Sequence, residues 1–301
     1  MSSRSTIIAK KTRLLRILSQ IIFLILLNGA IIGLMPTALI LPVEQPNTPY
    51  STAVGAFNLL QGLFITAIIP FIAIAVILLG GIIFGKAFCA WACPFGLVQD
   101  IFSTLGYYIP IRQLRPNKAT NKSLERIGLV IVGTVLAVCI FVGVSVFFGT
   151  QRELFDALGP YAREPFSVLN PSVTLFSAIP YMFFWGTFPT TIDQLLAIDI
   201  IFWFRMIILV FAVGLPIFIP RGWCRWLCPT GACLGLVSKY SLFGIGRNMV
   251  RCTHCGDCIK ACPMGVPILD YSTGRVRDSQ CINCLECRDV CPENAIEIKF
   301  L

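Results

Sequence analysis

Cys252-Thr253-His254-Cys255-Gly256-Asp257-Cys258-Ile259-Lys260-Ala261-Cys262-Pro263 is answered near the C-terminus by Cys281-Ile282-Asn283-Cys284-Leu285-Glu286-Cys287-Arg288-Asp289-Val290-Cys291-Pro292. Both segments carry the spacing C-x2-C-x2-C-x3-C-P, which belongs to bacterial two-cluster ferredoxins. Two-residue spacers let three thiolates of one tight loop face the same [4Fe–4S] cubane. The fourth cysteine opens the next helical turn and reaches the other cubane. The spacing therefore predicts Cys252, Cys255, Cys258 and Cys291 on one cluster, and Cys281, Cys284, Cys287 and Cys262 on the other. Pro263 and Pro292 stop the chain from folding back onto its own cluster. Ala261, Ile259, Ile282 and Val290 are small or apolar neighbours suited to keeping water from the sulfurs. Paired zinc sites are the competing chemistry, and two matched quartets, each closed by proline, argue against them. His254 reads as a surface residue on a tight turn. It is the only histidine of the chain, which excludes a bis-histidine haem and any His-rich zinc or di-iron site.

Upstream of this tail the composition changes. The chain has 301 residues, 56% hydrophobic and 13% charged, with a mean hydropathy of +0.80. A soluble domain carries about 25% charged residues. The reading is an α-helical polytopic membrane protein with four transmembrane helices in residues 1–245, followed by a small α+β two-[4Fe–4S] ferredoxin domain at 246–301. Apolar runs at Leu14 to Leu34, Phe57 to Phe84, Ile127 to Phe148 and Ile200 to Ile219 each approach the ~20 residues that cross a bilayer as helix. The first follows Lys10, Lys11, Arg13 and Arg16 but exceeds a signal-peptide core, so it reads as a retained signal anchor. Val173 to Phe188 contains Pro180, is bounded by Pro171 and Pro189, and reads as re-entrant or interfacial.

Four spans with an internal N-terminus place 21 of the 24 basic residues on the inner side, as the positive-inside rule requires. Both termini are then cytoplasmic, in a multi-pass inner-membrane protein. The net charge of +9 follows from topology, so no nucleic-acid partner is expected. No phosphate-binding loop, nucleophile elbow or zincin motif occurs, and hydrolase and ATPase chemistry has no support.

A second motif recurs within the apolar part. Phe88-Cys89-Ala90-Trp91-Ala92-Cys93-Pro94-Phe95-Gly96 is matched by Trp223-Cys224-Arg225-Trp226-Leu227-Cys228-Pro229-Thr230-Gly231. Each copy follows the inner end of a span and a basic residue, Lys86 or Arg221. The separation of four puts each cysteine pair on one face of a helical turn. The four thiols are expected to converge near the tail, where they would bind a metal centre, form a redox disulfide or dock the tail. Buried small side chains flanked by interfacial tryptophans are the plainer reading. Cys139 reads as packing. Cys233 is near enough to the second copy to join the thiol group.

The two CxxxCP repeats at Cys89 to Pro94 and Cys224 to Pro229, joined to the eight-cysteine tail, resemble the NapH-type membrane ferredoxins, quinol dehydrogenase membrane subunits related to NosR- and CcoG-type proteins. The resemblance covers nearly the whole chain. It implies a redox subunit passing electrons between the quinol pool and a partner reductase, with quinol as donor. It also implies companion redox subunits, such as a periplasmic iron–sulfur protein or cytochrome. The alternative within the same resemblance is an accessory or maturation factor whose clusters reduce a metal centre or disulfide in another protein.

A quinol needs an apolar slot and a proton acceptor. The outer segment Gly149 to Asp199 offers Phe155, Tyr161, Phe166, Phe176, Tyr181, Phe183, Phe184 and Trp185 beside Glu153, Asp156, Glu164, Asp193 and Asp199. An aromatic cap explains the same composition, and a site near Trp91 or Trp226 at the inner face is equally open.

Overall fold

The computed structural model describes residues 3–33, 39–46, 51–108, 113–159, 165–167, 169–184, 200–272 and 274–300. Two of the expected spans are single helices. α6 (Lys118–Ser145) starts where Asn117 caps it, accepting a hydrogen bond from the Thr120 N–H at 2.8 Å. The helix at Ile200–Phe218 covers the last apolar run. At 1.5 Å per residue they measure about 42 and about 28 Å, against roughly 30 Å of hydrocarbon. These two are long and apolar enough, among the described residues, to cross a membrane.

The other two runs differ from expectation. α1 (Ser3–Leu27) ends before Leu34 and gives way to a 3-10 turn at Gly29–Ile32. The run Phe57 to Phe84 is not one helix but two, α2 (Ala56–Ile65) and α3 (Phe71–Phe84). Pro70 has no N–H to continue the ladder, and Ala67 adopts φ +58°, which together interrupt the helix between them. Short parallel strands β1 (Leu39–Leu41) and β2 (Ala53–Gly55) lead into α2. The stretch from Pro171 is helical to Phe184, with a π turn at Thr174–Ala178. Pro180 lacks the N–H that would close the preceding α turn, and the backbone widens there.

α4 (Ala87–Trp91) and α5 (Pro94–Tyr108) follow α3, and α7 (Gln151–Leu158) follows α6. α8 is the helix Ile200–Phe218, followed by α9 (Gly222–Trp226) and α10 (Pro229–Ser238). Glycines set how closely these helices approach. A Cβ on Gly106 of α5 would run into the Ile217 carbonyl of α8, and one on Gly143 of α6 would strike the Phe64 carbonyl of α2. Small residues at such crossings replace side-chain bulk with backbone contact.

The tail is bounded by an antiparallel pair, β3 (Phe243–Arg247) with β4 (Ile296–Phe300), in the register Ile245 to Ile298. Short helices α11 (Asp257–Ala261) and α12 (Glu286–Asp289) lie between them. One apolar core joins Ile245, Met264, Val266, Ile268 and Ile282 to Ala90 of α4, so the tail and the first CxxxCP turn share their packing.

Candidate iron–sulfur site

The eight tail cysteines line two cavities. Cys262, Cys281, Cys284 and Cys287 surround one of about 350 Å³, walled by Met264, Val266, Ile268 and Ile282. Cys252, Cys255, Cys258 and Cys291 surround the other, of about 320 Å³, beside Leu269 and Ile296. Each loop of three thus faces its own cavity, and each fourth cysteine crosses to the other.

The two loops use the same backbone device. His254 (φ +55°) and Asn283 (φ +48°) occupy equivalent left-handed positions, and so do Gly256 (φ +81°) and Leu285 (φ +65°). These turns curl the backbone around the thiols. The crossing cysteines are also oriented alike: Cys262 Sγ accepts from the Val266 N–H at 3.4 Å and Cys291 Sγ from the Ala295 N–H at 3.3 Å. His254 is exposed, with Nε2 lying 3.3 Å from Arg247 Nη1.

The chemistry of the donors fits a thiolate-bound cluster. Burial pushes Cys281 up to about 12 and Cys284 and Cys287 well above the ordinary thiol value. Free thiols here stay protonated, and a cationic centre is what makes thiolates favourable. Among the described residues no three His, Cys, Asp or Glu side chains gather about one metal-ion position. A cubane takes each thiolate on a different iron, so four ligands around a cavity suffice.

The CxxxCP repeats superpose in their hydrogen bonding. Cys93 N–H donates to Phe88 O at 2.9 Å and Cys228 N–H to Trp223 O at 3.1 Å. Pro94 and Pro229 each then open the following helix. Their four thiols are mutual electrostatic neighbours, Cys224 feeling both Cys93 and Cys89, and Cys228 feeling Cys224 and Cys89. Burial raises all four, Cys93 to about 12. Cys139 is fully buried in the helical core, as packing predicts. Cys233 also packs in that core, within electrostatic reach of Glu44.

Glu44 is the residue that sequence reasoning missed. It is 3% exposed, and its Oε2 accepts from Thr230 Oγ1 at 2.6 Å and Cys228 Sγ at 3.5 Å. Asn170 Nδ2 donates to Oε1. Burial raises the Glu44 carboxyl, and the donors Thr230, Asn170 and Cys228 oppose that. A signal existed: Glu44 and Asp100 are the only acids in the first hundred residues.

Asp100 is the second such anchor. Arg221 donates to it twice, Nε to Oδ1 at 2.6 Å and Nη2 to Oδ2 at 2.5 Å, and Arg16 lies at 3.3 Å. Burial alone would raise the Asp100 carboxyl, but these guanidinium groups hold it below the usual range. Arg221 Nη1 also donates to Cys89 O at 3.0 Å, joining the second repeat to the first. Lys86, at the equivalent place in the first repeat, turns to the tail, with Nζ donating to Gln280 Oε1 at 3.2 Å. Trp91 Nε1 donates to Asn283 O at 3.1 Å, and Arg16 pairs with Glu286 at 2.7 Å. The four-cysteine cavity with Cys281 therefore lies against the first CxxxCP turn.

The aromatic segment Gly149 to Asp199 is only partly placed. Phe166 is buried edge-on to Phe57, with ring centroids 6.3 Å apart, and its N–H donates to Gln61 Oε1 at 3.1 Å. Glu153 and Asp156 are exposed on α7. Tyr161, Glu164, Trp185, Asp193 and Asp199 lie outside the described residues.

Two matched cysteine cavities carried on a strand-bounded tail define a ferredoxin-type protein. The family described as "4Fe-4S dicluster domain" matches residues 251–296, and "4Fe-4S binding domain" matches twice, at 65–107 and 201–248, each time around one CxxxCP repeat. The "Putative electron transport protein YccM" of Escherichia coli is 27% identical over 88% of this chain and 62% of its own length. "Protein NirI" of Paracoccus denitrificans is 27% identical over 75% of this chain and 28% of its own length. "Ferredoxin-type protein NapH" of Haemophilus influenzae is 26% identical over 75% of this chain and 66% of its own length. The chain thus spans about six-tenths of the YccM relative and under a third of NirI. No solved structure matches the chain. The chain is thus similar, over most of its length, to NapH-type and NosR-related 4Fe–4S ferredoxin-type proteins.

Proposed function

We propose that this chain is a membrane electron-transfer subunit that passes electrons between the quinol pool and a partner reductase outside the membrane. The observation that carries the proposal is the division of the eight tail cysteines between two cavities, four to each. Cys252, Cys255, Cys258 and Cys291 would hold one [4Fe–4S] cluster, and Cys281, Cys284, Cys287 and Cys262 the other. When bound, such clusters supply reversible one-electron transfer.

The protein's own residues do the rest. Met264, Val266, Ile268 and Ile282 exclude water from the cavity with Cys281, and the Val266 and Ala295 N–H groups orient the crossing thiols. Trp91 and Lys86 hold that cavity against the membrane part, the Asp100–Arg221 pair fixes the two repeats to one another, and Glu44 fills the space beside Cys228.

We read residues 1–245 as the membrane domain and 246–301 as the ferredoxin domain. Four crossings are made by α1, the α2–α3 pair, α6 and α8, with both termini cytoplasmic. The distribution of basic residues supports this, since α6 and α8 alone would also leave the termini on one side but would not explain Phe71–Phe84. The partners are membrane lipid, the quinone pool and companion redox proteins. Cys89, Cys93, Cys224 and Cys228 remain a buried thiol group beside the electron path, suited to a redox or metal role.

The test is anaerobic titration of the detergent-solubilised protein with a reduced quinol analogue, followed by its iron–sulfur EPR signals. Signals that grow with quinol support the proposal. Signals that need dithionite, with none from quinol even in native membranes, favour the accessory-factor reading, in which electrons reach another protein's metal or disulfide.

A further inference from the structure

An open cavity of about 730 Å³ lies between α6, α10 and the Ser279–Gln280 turn of the tail, and no step proposed above uses it. Its lining includes four cations, Lys122, Arg126, Arg225 and Lys239, and one acid, Glu125. Glu125 is already engaged, since Ser279 Oγ donates to it. Arg225 is held by Asn121 Oδ1 at 2.6 Å and lies over the Trp226 ring at 5.1 Å. Lys122, Arg126 and Lys239 are exposed and make no ion pair among the described residues. The rim is apolar: Leu129 is 37% and Leu236 56% exposed.

We propose that this cavity binds the phosphate-bearing headgroup of an anionic lipid, with the acyl chains along the exposed apolar faces of α6 and α10. Excess cation at the mouth calls for an anion, and the adjoining exposed leucines call for an amphiphile rather than a soluble ion. Basic pockets between helices at the cytoplasmic side of a membrane bind anionic headgroups by this combination. The site falls where α6 passes from its basic first turns to its apolar length. Ser279 and Gln280 precede Cys281, so a bound headgroup touches both the helices and the loop of one cysteine quartet. The lipid would hold the tail on the membrane part. The inference rests on the membrane reading above.

The experiment uses the full chain in a neutral detergent and reads its thermal midpoint on adding dihexanoyl-phosphatidylglycerol, dihexanoyl-phosphatidylcholine or inorganic phosphate. Phosphatidylglycerol is expected to raise the midpoint while phosphatidylcholine does not. The triple variant Lys122→Gln, Arg126→Gln, Lys239→Gln is expected to lose the response, and Lys122→Arg, Arg126→Lys, Lys239→Arg to keep it. Lys239→Gln alone, at an exposed position, is expected to weaken the response and keeps the test decisive if the triple variant does not fold. An undiminished response in these neutral variants overturns the proposal, and an equal response to inorganic phosphate reassigns the cavity to a soluble anion. Resistance of the protein to alkaline extraction from membranes is read separately, so failure of the membrane reading is distinguishable from failure of the headgroup site.

Discussion

Arg221 grips Asp100 through two hydrogen bonds, at 2.6 and 2.5 Å, and so fastens the start of the second CxxxCP repeat to the helix that follows the first. Arg221 is fully buried and adopts φ +52°, a backbone region L-residues rarely enter. The pair therefore fixes both a charge and a turn.

Asp100→Asn leaves that guanidinium without its counter-charge. Breaking a buried pair from one side costs about 3–5 kcal/mol, and the thermal midpoint of the variant should fall accordingly. The acid side has a definite sign. A carboxyl held below its usual range contributes stability above the ordinary carboxylate value and loses it as pH falls through the lowered one. The gap between wild type and Asp100→Asn should therefore narrow on acidification, as followed by thermal melts across pH.

Cys262→Ser and Cys255→Ser should each remove about half of the bound iron, because each strips one of two clusters. The crossed arrangement makes a sharper demand. Cys262→Ser should abolish the same EPR signal as Cys281→Ser, although Cys262 lies in the first motif of the sequence. Loss of the Cys255 signal instead would show that the cysteines do not cross.

Much of this was readable beforehand, and the limits have physical causes. The tail spacing groups the eight cysteines into two crossed quartets, because x2 and x3 spacers tie chain separation directly to local geometry, and each quartet lines one cavity. Ile127 to Phe148 and Ile200 to Ile219 emerged as helices because unbroken apolar length is itself the signal. Phe57 to Phe84 failed as a single helix because hydropathy averages over Pro70 and does not register a positive φ at Ala67. Glu44 was missed because Cys228 and Thr230 lie far along the chain, and no periodicity links them. Its isolation as an acid in an apolar third was the available clue, since an ionisable group in such surroundings needs partners.

Glu44→Ala should destabilise more than Glu44→Gln. The alanine leaves the Thr230 hydroxyl and the Asn170 amide without an acceptor, at about 1–3 kcal/mol for each buried group. Glutamine keeps an acceptor oxygen in place. Thermal midpoints of the two variants, compared with Thr230→Val, check the order.

Trp91→Phe removes the hydrogen bond from Nε1 to the Asn283 carbonyl while keeping most of the ring's packing. The expected loss is about 0.5–1.5 kcal/mol, concentrated where the tail meets the first repeat. Limited proteolysis should release the tail faster in the variant, with iron content unchanged before cleavage.

Low-temperature EPR of the dithionite-reduced, anaerobically purified chain tests the central claim most directly. Two cubanes in adjoining cavities predict two reduced [4Fe–4S] signals broadened by their mutual spin coupling. A protein that shows neither signal and carries zinc in place of iron would contradict the account.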